Sequence, residues 1–188
     1  MRAGNIVGGR AAYRDRLLIA RSLSTATPSS TNALRDLSVA LTKVGTAAVD
    51  ANDLPAALTA YEESLSVTRA VYAGVSTDDL AYLTDLGGDT SRLGDIAARM
   101  GQVGKAQAAF DEALPLLRRA TASSSATAIG QSELAETLVR IATHNLRGAT
   151  WSDVVVQGRL MADRGQLSAA DALKLRAAEA RITTKSRP

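Results

Sequence analysis

The sequence predicts an all-α protein made of antiparallel helical hairpins, and three observations support this prediction. Apolar residues recur along nearly the whole chain at the three- and four-residue spacing that marks one face of a helix. Alanine, the strongest helix former, is the most frequent residue. The chain also repeats itself with an offset of 49 residues, and each repeat divides into two helical segments.

Composition restricts the chemistry that the chain can carry. Its 188 residues are 46% hydrophobic and 22% charged, which is typical of a single globular domain. Aromatic residues make up only 3%, so we expect a core of Leu, Val, Ile and Ala. The chain has no cysteine and one histidine, His144. The lack of cysteine excludes disulfides, iron–sulfur clusters, thiolate metal sites and cysteine nucleophiles, and we expect no metal, no cofactor and no catalytic residue.

Charge and hydropathy indicate which partners to expect. No apolar run approaches the roughly 18 residues of a membrane-spanning helix, and the N-terminus lacks the apolar segment of a signal peptide. We therefore expect a cytoplasmic protein that does not bind membranes. The net charge is +3, but the longest basic run is Arg118-Arg119, so nucleic-acid binding is not expected.

The internal repeat relates residues 36–70 to residues 85–119. Small and apolar positions match in the same order, which chance matches between alanine-rich segments do not explain. Each copy has the pattern of two amphipathic helices. The matching pairs include Leu37/Leu86, Gly45/Gly94, Ala48/Ala97, Ala57/Ala106, Tyr61/Phe110 and Leu65/Leu114.

A partial third copy precedes these two, with an offset of 48 residues. Tyr13 then matches Tyr61, and Leu17 matches Leu65. The chain therefore opens in the second helix of a repeat, at about residues 8–23, and we expect either a truncated chain or an evolutionary loss of the first helix. Without that first helix, we expect an exposed apolar stripe, including Tyr13 and Leu17, that drives self-association or is covered by an upstream region.

Capping residues predict where the helices of the array begin. Asn52 or Asp53 is expected to cap a helix that has Pro55 in its first turn. The pattern Ser76-x-x-Asp79 predicts a capping box and a helix that starts at about residue 77.

Three further signals concern the later helices. Thr150-x-x-Asp153 and Ser168-x-x-Asp171 are two more capping-box patterns. Pro115 lies inside a predicted helix, where it removes a backbone hydrogen bond and costs about 3 kcal/mol unless the helix kinks or ends.

The repeat register divides the chain into two parts. Residues 1–122 are predicted to form the array, and residues 123–188 to form C-terminal helices. Within the second part, residues 128–148 fit no repeat, and residues 151–182 are interpreted as a degenerate capping hairpin.

The repeated positions resemble those of the tetratricopeptide repeat (TPR) family, of the long-period type found in large bacterial multidomain proteins. In that family a small residue lies where the two helices of a hairpin touch, an alanine opens the second helix, and an aromatic residue follows one turn later. The resemblance implies that the hairpins stack as a right-handed superhelix, an α-solenoid. The matching positions are Gly45, Ala48, Ala57, Tyr61, Gly94, Ala97, Ala106 and Phe110.

Two departures from the family pattern concern the geometry of the array. The usual period is about 34 residues, whereas the offset here is 49. The proline that often follows the second helix is also missing. The longer period implies longer helices and leaves the curvature of the array open.

Other residues that could carry chemistry have structural explanations. We expect His144 to lie at the surface or at a helix C-terminus, and Trp151 to anchor the last hairpin. Asp78 and Asp79 are expected to complement the dipole at a helix N-terminus. The acidic pairs of the second helices recur in register and are expected on the solvent face: Glu62, Glu63, Asp111 and Glu112.

The resemblance implies a binding surface, because the first helices of TPR hairpins line a concave groove. Lys43 and Arg92 are equivalent positions, and with Arg99 they would form charge-assisted hydrogen bonds to an acidic partner or a C-terminal carboxylate. Thr46 and Asp95 replace the asparagines of the carboxylate-clamp subset, so chaperone-tail binding is not expected. The expected partner-binding residues are Val39, Thr42, Lys43, Thr46, Ser91, Arg92, Asp95 and Arg99.

These features predict a non-catalytic scaffold or adaptor that binds a protein partner. Three alternatives stay open: a regulatory repeat arm or fragment of a larger bacterial signalling or effector enzyme, an enzyme that uses the acidic middle of the chain, and a nucleic-acid binder that uses the basic C-terminal third. A coding sequence upstream of Met1 would favour the first. A deep pocket with carboxylates of raised pKa would favour the second, and steep salt dependence of nucleic-acid binding the third.

Overall fold

The computed structural model describes residues 3–73, 76, 78–122 and 125–185. In these residues every regular element is an α-helix, with eight helices and no strand, which confirms the all-α class. None of these helices has both the length and the apolar character that crossing a membrane requires. The helices are α1 Ala3–Ala26, α2 Thr31–Asp50, α3 Leu54–Val71, α4 Leu80–Arg99, α5 Val103–Thr121, α6 Ala128–Thr143, α7 Trp151–Asp163 and α8 Ala169–Lys185.

Short polar side chains begin the helices of the first repeat. The Oγ atom of Ser30 accepts a hydrogen bond from the backbone N–H of Ala33 in α2. Asp53 accepts one from Ala56 in α3, and Pro55 lies in the first turn, which confirms the sequence prediction. These side chains satisfy backbone donors that have no partner within the helix.

The start of α4 differs from the sequence prediction. The helix begins at Leu80, and Asp79 accepts a hydrogen bond from the backbone N–H of the third helical residue at 2.8 Å. Ser76 accepts one from the backbone N–H of Asp78 instead, so the predicted capping box is wrong. Asp79 is the better cap because it adjoins the first turn and its charge complements the helix dipole. Residue 77, the predicted start, lies outside the described residues.

The pattern at Thr150 forms the predicted capping box, and the pattern at Ser168 shows the side-chain cap of the helix N-terminus. At the start of α7, Thr150 accepts from the backbone N–H of Asp153, and the Asp153 carboxylate accepts from the N–H of Thr150 at 2.7 Å. Before α8, Ser168 accepts from the backbone N–H of Asp171 at 3.1 Å, and its hydroxyl donates to the Asp171 carboxylate at 2.6 Å. Both pairs tie a connecting segment to the first turn of the helix that follows it.

Pro115 lies inside α5, which continues to Thr121. The helix therefore does not end at the proline. The proline lacks the N–H that would bond to the carbonyl of Asp111, four residues earlier. Pro115 and Asp111 are both exposed, so water can reach that carbonyl.

The chain forms two compact units, residues 1–75 and 76–188. The predicted boundary between residues 122 and 123 follows the repeat register and falls within the second unit. It stays a prediction about repeats rather than about compact units.

In the first unit, α2 and α3 form an antiparallel hairpin. Gly45 of α2 lies against the ring of Tyr61, and the hydroxyl of Ser38 hydrogen-bonds to that of Thr68 at 3.0 Å. α1 packs on α2 through an apolar cluster. The buried members of that cluster are Ala20, Leu37, Ala40 and Leu41, with Leu17 and Val67 packed against them.

In the second unit, α4 and α5 repeat this hairpin. Gly94 lies against the ring of Phe110, and Gly87 lies against Leu117. The eight repeat positions identified from the sequence are all buried. α6 packs against α4, α5 and α7, and α8 packs chiefly on α7. The buried core of this unit includes Phe110, Leu114, Leu117, Leu134, Leu138, Ile141, Val154 and Ala178.

α6 lies parallel to α4. Near the start of each helix, Gly130 of α6 approaches Thr84 of α4. Near the end of each, the ring of His144 bonds to the carboxylate of Asp95 at 2.7 Å. The first helix of one hairpin therefore lies beside the helix that follows the hairpin, running in the same direction.

We expect Gly45→Ala to destabilise the protein by about 1–3 kcal/mol, because the added methyl carbon would lie 2.5 Å from Cε1 of Tyr61. This loss should exceed the gain of up to about 1 kcal/mol in helix propensity. Urea unfolding followed by circular dichroism measures the difference. The control is Gly104→Ala in α5, where an added Cβ meets nothing within 4 Å, and it should be neutral or stabilising. Equal effects of the two substitutions would contradict the close helix contact at Gly45.

Candidate interaction site

The predicted partner-binding residues of α2 lie on a largely exposed face. The side chains of Val39, Lys43 and Thr46 are exposed, with Val39 at 46% of its full accessibility. Thr42 is half-buried, and its hydroxyl hydrogen-bonds to that of Ser64 in α3 at 3.1 Å. α3 therefore positions one edge of this face, and the other three side chains project into solvent.

The matching residues of α4 are not exposed in this way. Ser91 is fully buried, and its hydroxyl accepts hydrogen bonds from Thr137 at 2.8 Å and from Arg140 at 3.2 Å. Arg92 forms an ion pair with Glu133 and a longer one, at 3.4 Å, with Asp89. These contacts attach α6 to α4.

Asp95 and Arg99 complete this set of polar contacts between α4 and α6, which we call the α4–α6 seam. One oxygen of the Asp95 carboxylate contacts Nε2 of His144 at 2.7 Å, and the other accepts a hydrogen bond from Nε of Arg99 at 2.8 Å. Asp95 is buried, whereas the side chain of Arg99 is 43% exposed. His144 is the C-cap residue of α6, which confirms its predicted position at a helix C-terminus.

Repeat register relates the two faces. Thr42, Lys43 and Thr46 precede Ser91, Arg92 and Asp95 by 49 residues each. The positions that hold α6 on α4 are therefore the positions that lie on the open face of α2. Partner binding at these residues stays a prediction.

The sequence did not identify the residues of α6 that form the other side of the seam. These are Glu133, Thr137 and Arg140, within a segment that showed no repeat. A signal was present nonetheless, because Arg140 follows Ser91 and His144 follows Asp95 by 49 residues. The 49-residue offset therefore continues through α6, although the residue types in α6 do not match those in α4.

A second polar seam joins α6 to α8. The Lys174 ammonium contacts Glu136 and lies 3.2 Å from the Asp171 carboxylate. The hydroxyl of Ser132 donates to the same carboxylate at 3.2 Å. Glu136 also lies 3.8 Å from the guanidinium of Arg140, so the two seams are continuous from α4 to α8.

The second seam holds its groups in their charged forms. Burial opposes the ionisation of Asp171, but hydrogen bonds from Ser168, Lys174 and Ser132 outweigh it and lower its pKa below the usual range. Burial also opposes the charge on Lys174, but the Glu136 and Asp171 carboxylates outweigh it and raise the pKa of the ammonium.

The exposed stripe predicted on α1 differs in detail. Tyr13 is 39% exposed, as expected, but Leu17 is partly buried against the apolar cluster of α1 and α2. Among the α1 side chains that the structure describes, Leu18, Ile19 and Leu23 are exposed together with Tyr13, and the exposed fractions of Leu18 and Ile19 are 66% and 69%. Leu17 is covered because it faces α2, the helix that follows α1 along the chain.

A small cavity lies where α1, α2 and the start of α3 meet. Its volume is about 60 Å³. This is room for a few water molecules rather than for a metabolite. Four alanine and valine residues line it together with three polar side chains: Tyr13, Arg14 and Asp53.

The remaining candidates have structural roles. Asp79 caps α4, and among the described residues no group of three or more His, Asp or Glu side chains is placed to hold a metal ion. Trp151 packs against the core of the second unit, with the Arg181 guanidinium 4.4 Å from its ring centroid. Glu62 and Asp111 are exposed, and Glu63 pairs with Arg21 of α1 at 2.5 Å.

Comparisons with known proteins do not identify a family. No family model matches this chain, and no curated protein sequence matches it. The interpretation of the site therefore rests on the residues and their contacts.

We expect Asp171→Asn to reduce the free energy of unfolding at pH 7 by about 1–3 kcal/mol, because it leaves Lys174 with one carboxylate partner. Since the pKa of Asp171 is lowered by folding, its contribution exists above the ordinary value of about 3.9 and is lost as the pH falls through the folded-state pKa. The variant and wild type should therefore converge in stability in acid. Urea unfolding at several pH values measures this.

The control for this test is Asp163→Asn, at an exposed position at the end of α7. It should change stability by less than about 0.5 kcal/mol at pH 7. A constant difference between Asp171→Asn and wild type down to the lowest pH would contradict the role of the ionised carboxylate.

Proposed function

We propose that this chain is a non-catalytic scaffold for protein–protein interaction, built from TPR-like hairpins that stack as a right-handed α-solenoid. In this proposal the protein is cytoplasmic and binds a partner peptide or helix along the faces of its first helices. The partner is a protein rather than a membrane or a nucleic acid.

One observation carries the proposal: the seating of α6 on α4. The face of α4 formed by Ser91, Arg92 and Asp95 holds another helix by side-chain hydrogen bonds and ion pairs. The same register positions recur on α2, where Lys43 and Thr46 are exposed and Thr42 is half-buried. A surface that holds a helix at one copy of a repeat is a good candidate for holding one at another copy.

The hairpin geometry supports the TPR-like interpretation. In both repeats a glycine of the first helix lies against an aromatic ring of the second, Gly45 on Tyr61 and Gly94 on Phe110. The four residues are all buried. The parallel arrangement of α4 and α6 is what stacked hairpins require of their first helices.

The alternative proposal is a regulatory repeat arm or fragment of a larger bacterial signalling or effector enzyme. The exposed apolar face of α1 favours it, because Tyr13 and Leu23 match positions that are covered in the complete hairpins. Their counterparts are Tyr61 and Val71 in α3, which are 4% and 8% exposed. In this alternative, the catalytic region or a further repeat would cover that face.

The test of the scaffold proposal is affinity capture from a lysate of the source cell. We expect wild type to retain a protein partner and Lys43→Glu to lose it, because the substitution reverses the charge at the centre of the exposed α2 face. Lys105→Glu, at an exposed lysine of α5, is the control and should retain the partner. Retention by all three would place the partner elsewhere, and capture of no protein by any of them would count against a scaffold.

We also propose that α1 mediates self-association. Among the α1 side chains whose exposure the structure describes, four are large, apolar and exposed, which is more than scattered surface residues would give. Sedimentation equilibrium should show a concentration-dependent dimer that Ile19→Glu weakens at least about tenfold. Val156→Glu on α7, where the valine is also 69% exposed, is the control and should leave the dimer intact. A wild-type chain that stays monomeric at every concentration would contradict this proposal.

A further inference from the structure

We propose that α8 is a displaceable helix that occupies a groove between α6 and α7, and that a helix of a partner protein binds this groove when α8 leaves it. The partner helix presents a lysine or arginine to Glu136 and an apolar side chain to Gly158. The groove is separate from the exposed face of α2, because α6, α7 and α8 all belong to the compact unit of residues 76–188.

The groove beneath α8 is apolar and has one acidic edge. Gly158 of α7 forms a depression in it, since an added Cβ at this residue would lie 2.9 Å from a methyl carbon of Leu175 in α8. Glu136 of α6 provides the acidic edge and contacts the ammonium of Lys174. The residues of α6 and α7 that line the groove are buried or half-buried: Ala135, Val139, Val154, Gly158 and Met161.

α8 lies in this groove with little of its own surface buried. Two of the sixteen side chains at residues 169–184 are buried, Asp171 and Ala178, whereas α6 buries seven of sixteen. Leu175 and Ile182 pack against the core but are only partly buried. Because helices in proteins are held chiefly by apolar burial, α8 is held less firmly than α6 and can open while the other helices stay folded.

The polar contacts of α8 can separate without isolating a charge. Lys174 contacts Glu136 of α6 and lies 3.2 Å from Asp171 of its own helix. When α8 leaves, Lys174 keeps Asp171, which also keeps its hydrogen bond from Ser168. Glu136 keeps Arg140, whose guanidinium lies 3.8 Å away on α6. Breaking an ion pair is most costly where it leaves an unpaired buried charge, and here each side retains a partner within its own helix.

α8 is therefore a competitor of the partner helix and shows which side chains the groove accepts. In α8 the cation at Lys174 directly precedes the leucine at Leu175 that fills the depression at Gly158. Because α8 is tethered to the groove, it competes at a high effective concentration. The observed affinity of a partner is then lowered in proportion to the fraction of molecules in which the groove is open. Loosening α8 should increase the affinity for the partner.

Hydrogen exchange of the full chain, followed by mass spectrometry, tests whether α8 opens separately. We expect the amides of α8 to exchange faster than those of α6 and α7. Lys174→Ala should accelerate exchange in α8 about tenfold and leave exchange in α4 to α7 unchanged. Arg176→Ala, at an exposed position of α8, is the control and should exchange as wild type does.

Fluorescence anisotropy with a labelled synthetic peptide of residues 167–185 tests the groove, and the peptide stands for the partner helix. It should bind the wild-type chain weakly and the Lys174→Ala chain about tenfold more tightly. Glu136→Ala breaks the same ion pair from the side of the groove. This substitution should open α8 as much as Lys174→Ala does, but it should not raise the affinity for the peptide. The Arg176→Ala chain should bind the peptide as wild type does.

Three results would overturn the inference. The first is exchange in α8 that is no faster than in α6 and α7. The second is no gain in peptide binding by the Lys174→Ala chain, or an equal gain by the Glu136→Ala chain. The third is a dimer of the full chain that the peptide dissociates, because a second copy's α8 would then be the occupant instead of a partner protein.

The result is separable from the proposed scaffold function. The groove lies outside α2, so the Lys43→Glu chain should bind the peptide as wild type does. If the peptide experiment fails and affinity capture still yields a Lys43-dependent partner, the scaffold proposal stands without a site beneath α8. If the peptide experiment succeeds and affinity capture fails, the groove beneath α8 stands without the α2 site.

Discussion

The close contact between the two helices of each hairpin is the constraint on which the rest of the structure depends. A glycine on the first helix lets an aromatic ring of the second lie directly on its backbone, at Gly45 and Tyr61 and again at Gly94 and Phe110. With aromatic residues at only 3% of the chain, these rings are among the few large side chains available to fill a core otherwise made of alanine and leucine. The contact fixes how each hairpin is folded, and so fixes which faces of the first helices remain available for other helices.

The polar contacts between helices then determine which helix packs on each of those faces. Desolvating an ion pair such as Arg92 and Glu133 carries a cost that its attraction only partly offsets, so the pair is a weak source of stability. It is better explained as a device for register, because the bonds of Ser91 to Thr137 and Arg140 and the pair of Arg92 with Glu133 form only in this alignment of the two helices. The seam between α6 and α8, centred on Lys174, acts in the same way. Apolar alanine-rich faces alone would allow helices to slide, and the polar groups remove that freedom.

Sequence patterns predict the features of this chain that depend on neighbouring residues, and they miss features that depend on distant ones. Helical spacing, the Asp53 cap with Pro55 and the capping box at Thr150 were readable because each depends on residues within one turn of one another. The start of α4 was misassigned because Ser76 and Asp79 compete for the same turn, and the choice depends on backbone geometry. The repeat register predicts an exposed Leu17 because it concerns only the missing first helix of the repeat, whereas in the structure α2 covers Leu17. Residue types do not identify Glu133 and Arg140 as a site, since their partners on α4 lie more than 40 residues away in the chain.

The sequence by itself determined the all-α class, the pairing of helices into hairpins and the repeat positions at which those helices touch. It could do so because helix formation and capping are local, and because the 49-residue repeat displays the same contact twice. Only the tertiary structure decided which first-helix face is covered and which is open. Lys43 and Arg92 are equivalent in the sequence, but Arg92 lies against α6 and Lys43 faces solvent. Exposure is a property of what packs on a residue, and that depends on helices distant in the chain rather than on the residue's own neighbours.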